Sequence, residues 1–147
     1  VQAANGGASC EQDDGAGLIS RCNIQACPKV TVLAAGKSLA SPACKASRNK
    51  RFRLCVQNDG RLVLYNGSLG IWASSSGGRS GTPVTLSMQL DGDLVLIMQR
   101  SKRKLWRSNT ATARGGSRSL VLLDNGSLAI AAGPGNNFVW QTGAAPV

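Results

Sequence analysis

The 147-residue chain contains no histidine, and its five cysteines all fall before residue 56. Without imidazole, and with cysteines that lack the paired C-x-x-C spacing of a zinc site, metal ligation has no residue set to use, and no cofactor is implied. No apolar run approaches the length needed to cross a bilayer as a helix. Aromatic residues are scarce: Trp72, Trp106, Trp140, Tyr65, Phe52 and Phe138 are the whole set. That is a poor supply for stacking bases, and no RNA- or DNA-binding motif accompanies it, so specific nucleic-acid recognition is not expected. Acidic residues number 7 against 17 Lys and Arg, and no carboxylate pair marks a cleft. With no histidine either, the chain does not read as an enzyme.

What is present is glycine, 18 residues of it, scattered among short apolar runs broken by Asn, Ser and Thr. That composition favours many turns and little helix, hence an all-β domain, and the length suits one such unit with a real core. Cys10, Cys22, Cys27, Cys44 and Cys55 read as disulfide partners, which places the chain in an oxidising, secreted or extracellular setting. Connectivity does not follow from sequence, and an odd count leaves one sulfur free or joined to another chain. Asn-Gly-Ser sequons at Asn66 and Asn125 agree with secretion. No signal peptide is visible, and a start at Val1 fits a processed chain.

The net charge of +10 is uneven. Residues 1–28 hold Glu11, Asp13 and Asp14, whereas basic side chains cluster at Lys45, Arg48, Lys50, Arg51 and Arg53 and again at Arg100, Lys102, Arg103, Lys104 and Arg107. Such clusters attract polyanions, including acidic polysaccharide, although a charged face also serves solubility alone.

A repeat organises the rest. Trp72, Trp106 and Trp140 are spaced by 34 and 34 residues, in "IWASSS", "LWRSNT" and "VWQTG". Upstream of each lies an apolar run after a turn, "QNDGRLVLY", "QLDGDLVLI" and "LDNGSLAIA", with Gly60, Gly92 and Gly126 spaced by 32 and 34. Each unit predicts antiparallel strands: Leu54 and Val56 alternate before the first turn, Leu62 and Leu64 after it, and a last strand ends at each Trp. None of three such sheets could bury its apolar face alone. Packed around a common axis, with three indoles meeting there, they would form a pseudo-threefold prism.

"QNDGRLVLY" and "QLDGDLVLI", each followed by a Trp-containing strand, resemble the bulb-type, monocot mannose-binding lectins. Their motif is Q-x-D-x-N-x-V-x-Y, repeated three times. "VTVLAAGKSLAS" and "IWASSSGGRSGTPVTLSMQLDGDLVL" resemble other parts of that family's domain. The resemblance implies a β-prism II of three antiparallel sheets over residues 30–147, preceded by a cysteine-bearing extension at 1–29. It also implies a glycan or glycoprotein partner, met through a shallow site that combines a carboxylate, amides, a phenol and a small apolar contact.

By resemblance the first site is Gln57, Asp59, Val63 and Tyr65, with Arg61 where the family has Asn. Arg61 would either block neutral mannose or recruit a sulfate or carboxylate. A weaker second site is Gln89, Asp91, Asp93 and Val95, where Ile97 replaces the Tyr and two aspartates share one face. The third repeat places Leu123, Asn125, Ser127, Ala129 and Ala131 at these positions and is expected to be structural only. The family's usual disulfide would fall at Gly60 and near Val84, neither a cysteine, and a replacement staple would join Cys44 to Cys55. The resemblance also implies C-terminal strand exchange, so a homo-oligomer or an assembly with another chain is expected. A lectin is thus the first reading. The alternative is an extracellular assembly subunit that keeps the fold, has lost sugar binding, and self-associates through its basic face, termini or unpaired cysteine.

Overall fold

The structure, a computed structural model, describes residues 27–77, 79–112, 117–133 and 137–143. The described regular elements are strands: β1 Lys29–Leu33, β2 Ser38–Ala40, β3 Ala43–Ala46, β4 Phe52–Val56, β5 Leu62–Asn66, β6 Leu69–Ala73, β7 Val84–Met88, β8 Leu94–Met98, β9 Lys104–Arg107, β10 Arg118–Leu123, β11 Leu128–Ala132 and β12 Phe138–Gln141. They form three antiparallel four-stranded sheets, ordered β3-β4-β5-β6, β2-β7-β8-β9 and β1-β10-β11-β12.

Each sheet takes its last three strands from one repeat, as the Trp and Gly spacing predicts. Its first strand comes from elsewhere. The opening segment breaks into β1, β2 and β3, and each joins a different sheet. The prism is therefore sewn together at its N-terminal end, with Lys29 already paired to Leu123. At the other end β12 pairs with β11 of the same chain.

Alternation builds the core. In β7, Val84, Leu86 and Met88 are buried while Thr85 and Ser87 are half-buried. The equivalent inward residues Leu54, Val56, Leu62, Leu64, Leu94, Leu96, Leu120, Leu122, Leu128 and Ile130 join them in one cluster. Three indoles close it. Trp72, Trp106 and Trp140 meet edge to face with centroids 5.7–5.8 Å apart and interplanar angles of 69–76°, the geometry that sets a positive ring edge against a negative face. All three are only half-buried, so the trio caps the axis.

Three turns carry the strands back. Gly60, Gly92 and Gly126 have φ of 84°, 93° and 89°. Their N–H groups bond the carbonyls of Gln57, Gln89 and Leu123 at 3.0–3.1 Å. The residue before each glycine does not share the positive φ, so these are three-residue turns closed by a glycine rather than two-residue hairpins. Cys44 and Cys55 are bridged, as the staple predicts, and face each other across β3 and β4. Cys27 is also disulfide-bonded, and no described cysteine is free. Cys10, Cys22 and the acidic cluster lie outside the described residues.

Candidate functional site

On the first sheet the turn after β4 holds Gln57 and Asp59, and β5 carries Val63 and Tyr65 on the same outward face. Local chemistry sets Asp59: its Oδ1 accepts the Arg61 N–H at 3.0 Å, a side-chain bond that shapes the turn. The same bond recurs from Asp93 to Asp91 and from Ser127 to Asn125, so the motif's second residue has a folding role in every repeat. Only one orientation of the Gln57 amide gives each of its atoms a complementary partner. Its nitrogen then donates to Asp59 Oδ1 and Oδ2 at 3.2 and 3.1 Å, and its oxygen accepts from the Tyr65 hydroxyl. Glutamine, aspartate and tyrosine thus form one pre-assembled polar edge.

Beside that edge is a groove of about 410 Å³, lined by Gln57, Arg61, Val63, Tyr65, Trp72 and Ala73 among others. Val63 is 7% exposed and gives the groove an apolar floor. Across the sheet from Val63 stands Ala73, too small to cover it. Arg61 is exposed at the rim, and Asp59 does not line the groove.

The second repeat begins alike and ends differently. Asp91 is exposed, but Asp93 is 3% exposed. The two aspartates therefore do not stand side by side toward solvent. Asp93 Oδ1 accepts from the Ser108 hydroxyl at 3.1 Å and the Thr110 N–H at 3.2 Å, while Arg107 Nε lies 3.6 Å from Oδ2. Arg107 is the cross-strand partner of Val95, the position Ala73 holds in the first repeat. Its side chain reaches from Val95 toward Asp93, and Val95 is fully buried. A basic side chain of the protein occupies the space that is open in the first repeat.

The third repeat is closed. Leu123, Asn125, Ser127, Ala129 and Ala131 are 0–3% exposed, and Cys27 and Phe138 pack with Val121, Leu123 and Ala129. Asn125 is therefore inaccessible in the folded chain, whereas Asn66 is half-buried at the end of β5. The sequon read at Asn125 is a turn residue in this structure.

Two features of the site escaped sequence reading. Ser74, Ser108 and Thr142, each two residues after a Trp, accept the N–H of Leu62, Leu94 and Leu128 at 3.0 Å through their hydroxyls. A hydroxyl at that offset in all three repeats was a readable signal. The second feature is a brace. The Arg79 and Thr82 N–H groups bond the carbonyls of Asp59 and Asn58 at 3.2 and 2.7 Å. Gly77 packs so tightly that a Cβ there would overlap the Gly60 carbonyl and the Asp59 oxygen. This packing lies where the resemblance implied a disulfide.

Three antiparallel sheets about a tryptophan trio, with a polar edge over a small apolar floor, define a β-prism II protein of the lectin class. No family model matches the sequence. Among curated proteins, a mannose-specific lectin of Aloe arborescens is 36% identical over 92 residues, 63% of this chain and 79% of that protein. A mannose-specific lectin of Colocasia esculenta is also 36% identical, but over only 34% of its own length. Among solved structures, a monomeric monocot mannose-binding lectin from Gastrodia elata is 32% identical with a TM-score of 0.66, covering 81% of this chain and 99% of that one. The mannose-specific agglutinin of snowdrop, Galanthus nivalis, complexed with methyl-α-D-mannoside, is 30% identical with a TM-score of 0.63 and covers 80% and 100%. The chain belongs to the monocot mannose-binding, bulb-type lectin family.

Proposed function

We propose that this protein is a glycan receptor that holds a mannose-type or acidic saccharide in the groove of its first repeat, through Gln57, Arg61, Val63 and Tyr65, with Asp59 positioning Gln57. The second repeat, with Gln89, Asp91, Asp93 and Val95, contributes little. The observation that carries this is the open groove beside the Gln57–Asp59–Tyr65 cluster, in a chain whose relatives are named mannose-specific. Gln57 and Tyr65 offer donors and acceptors to vicinal hydroxyls, and Val63 offers an apolar contact to ring carbons. Asp59 holds Gln57 in place and fixes the turn.

Binding of this kind leaves the ligand unchanged, and the relatives are lectins rather than enzymes. A shallow groove binds weakly, so the reading includes a second binding unit, from self-association or a partner chain, to raise avidity. It also includes an N-terminal extension, read from the sequence as residues 1–29, ahead of a lectin domain whose first strand begins at Lys29, and secretion, which the Cys44–Cys55 bridge favours. No described helix is long and apolar enough to cross a membrane. The assembly-only alternative is not favoured, because the first groove keeps its polar edge and remains open.

A glycan array tests the reading. Wild-type protein is expected to bind, with Asp59→Ala abolishing the signal and Tyr65→Phe weakening it about three- to ten-fold, the size of one lost hydrogen bond. An inert array from protein with an intact β-sheet circular-dichroism spectrum would defeat it.

A further inference from the structure

A second groove adjoins the first. It has a volume of about 370 Å³ and is lined by Cys44, Arg53, Cys55, Asn58, Tyr65 and Ser68 among others. Gln57 and Tyr65 line both grooves, so the two lie on either side of one polar ridge. The wall of the second is stiff, because the Cys44–Cys55 bridge forms part of it. Arg53, the cross-strand partner of Tyr65, rests its guanidinium 4.8 Å from the tyrosine ring centroid. Each groove thus owns one exposed arginine, Arg61 in the first and Arg53 in the second. Among the described residues neither is paired with a carboxylate, and Asp59, the nearest acid in sequence to Arg61, faces Gln57 and lines neither groove.

Resting on the lectin reading above, we infer that the paired grooves form one extended subsite for an acidic oligosaccharide, with carboxylate or sulfate groups held by Arg61 and Arg53 on opposite sides of Tyr65. Arg61, just ahead of β5, and Tyr65 are four residues apart, about 13 Å along the backbone at the usual strand rise, so a ligand that reaches from one to the other is longer than a single pyranose ring. Guanidinium groups bind carboxylate and sulfate through paired N–H donors. Tyr65, already oriented by Gln57 and by the Arg53 stack, gives the chain a fixed crossing point. In this arrangement an arginine at position 61 exchanges a neutral sugar contact for an anionic one.

Calorimetric titration at physiological salt tests this with three probes: methyl α-mannoside, a neutral mannose tetrasaccharide, and a tetrasaccharide alternating uronic acid with sulfated hexosamine. The acidic tetrasaccharide is expected to bind with one-to-one stoichiometry and at least about ten-fold more tightly than the neutral one. Arg53→Gln and Arg61→Gln should each weaken it about three- to ten-fold, the size of an exposed charge-assisted contact. Arg100→Gln/Lys102→Gln, in the β8–β9 turn, should leave it unchanged. Equal losses in that distant variant would show only general attraction to a basic surface and overturn the inference. Neutral saccharides bound as tightly as the acidic one would overturn it while leaving the lectin reading intact. Failure of all three probes against folded protein would remove both.

Discussion

Single side chains set apart the equivalent faces of the three repeats. Position by position, Ala73, Arg107 and Gln141 stand opposite Val63, Val95 and Ala129. Alanine leaves its neighbour uncovered, whereas arginine lies across its neighbour and pairs with a buried aspartate. Removing one partner of a buried pair leaves the other charge poorly compensated. Arg107→Ala is therefore expected to cost about 1–2 kcal/mol, less than a fully buried pair because Arg107 is half-exposed and Asp93 keeps Ser108 and Thr110. Urea unfolding with an unchanged slope would register it, while saccharide binding in the first groove stays as in wild type. No loss of stability would mean that Arg107 does not hold the second groove shut.

At the level of elements, the first turn shapes both the fold and the open groove beside it. Its glycine closes the turn, its aspartate fixes the following strand, and the β6–β7 connection braces it from outside. Gly77 sits at φ 70° with backbone where a Cβ would go. Gly77→Ala should then lower stability by about 1–3 kcal/mol, through strain and backbone displacement. It should weaken first-groove binding as well, because Asp59 moves with the turn. Thermal unfolding and calorimetry on the same variant check both. Unaltered affinity in a destabilised variant would separate the brace from the site. The turns, their order and the strands beside them were legible in the sequence, because alternation and Asp-Gly or Asn-Gly pairs are local signals. Assignment of β1, β2 and β3 to separate sheets was not, because β1 and β2, strands of 3–5 residues, pair with β10 and β7 far along the chain while β3 pairs with its neighbour β4.

For the molecule as a whole, the indole trio closes a core that the inward residues of all three sheets build in common. Each indole meets the other two, so losing one removes two edge-to-face pairs as well as its buried area. Trp106→Ala is expected to destabilise the prism by about 2–4 kcal/mol, toward the lower part of the range for large aromatic truncations because the rings are half-exposed. The transition should stay single and cooperative. A protein that unfolded one sheet at a time would contradict a common core. A further tie joins the first repeat to the third: Asn49 N–H and Asn49 Nδ2 donate to Asp124 Oδ1 and its carbonyl, both at 3.1 Å.

The sequence by itself determined the threefold repeat, the turns with their glycines, the inward leucines and the meeting of the tryptophans, because each follows from local spacing and the need to bury an apolar face. It also placed Val63 and Tyr65 on one face, since alternate residues of a strand share a side, whereas Gln57 and Asp59 fall in the turn before that strand. Only the tertiary structure decided which groove stays open. That outcome depends on the residue standing across the sheet at a register fixed by chain reversal, and on whether a long basic side chain finds a buried acid to hold it there.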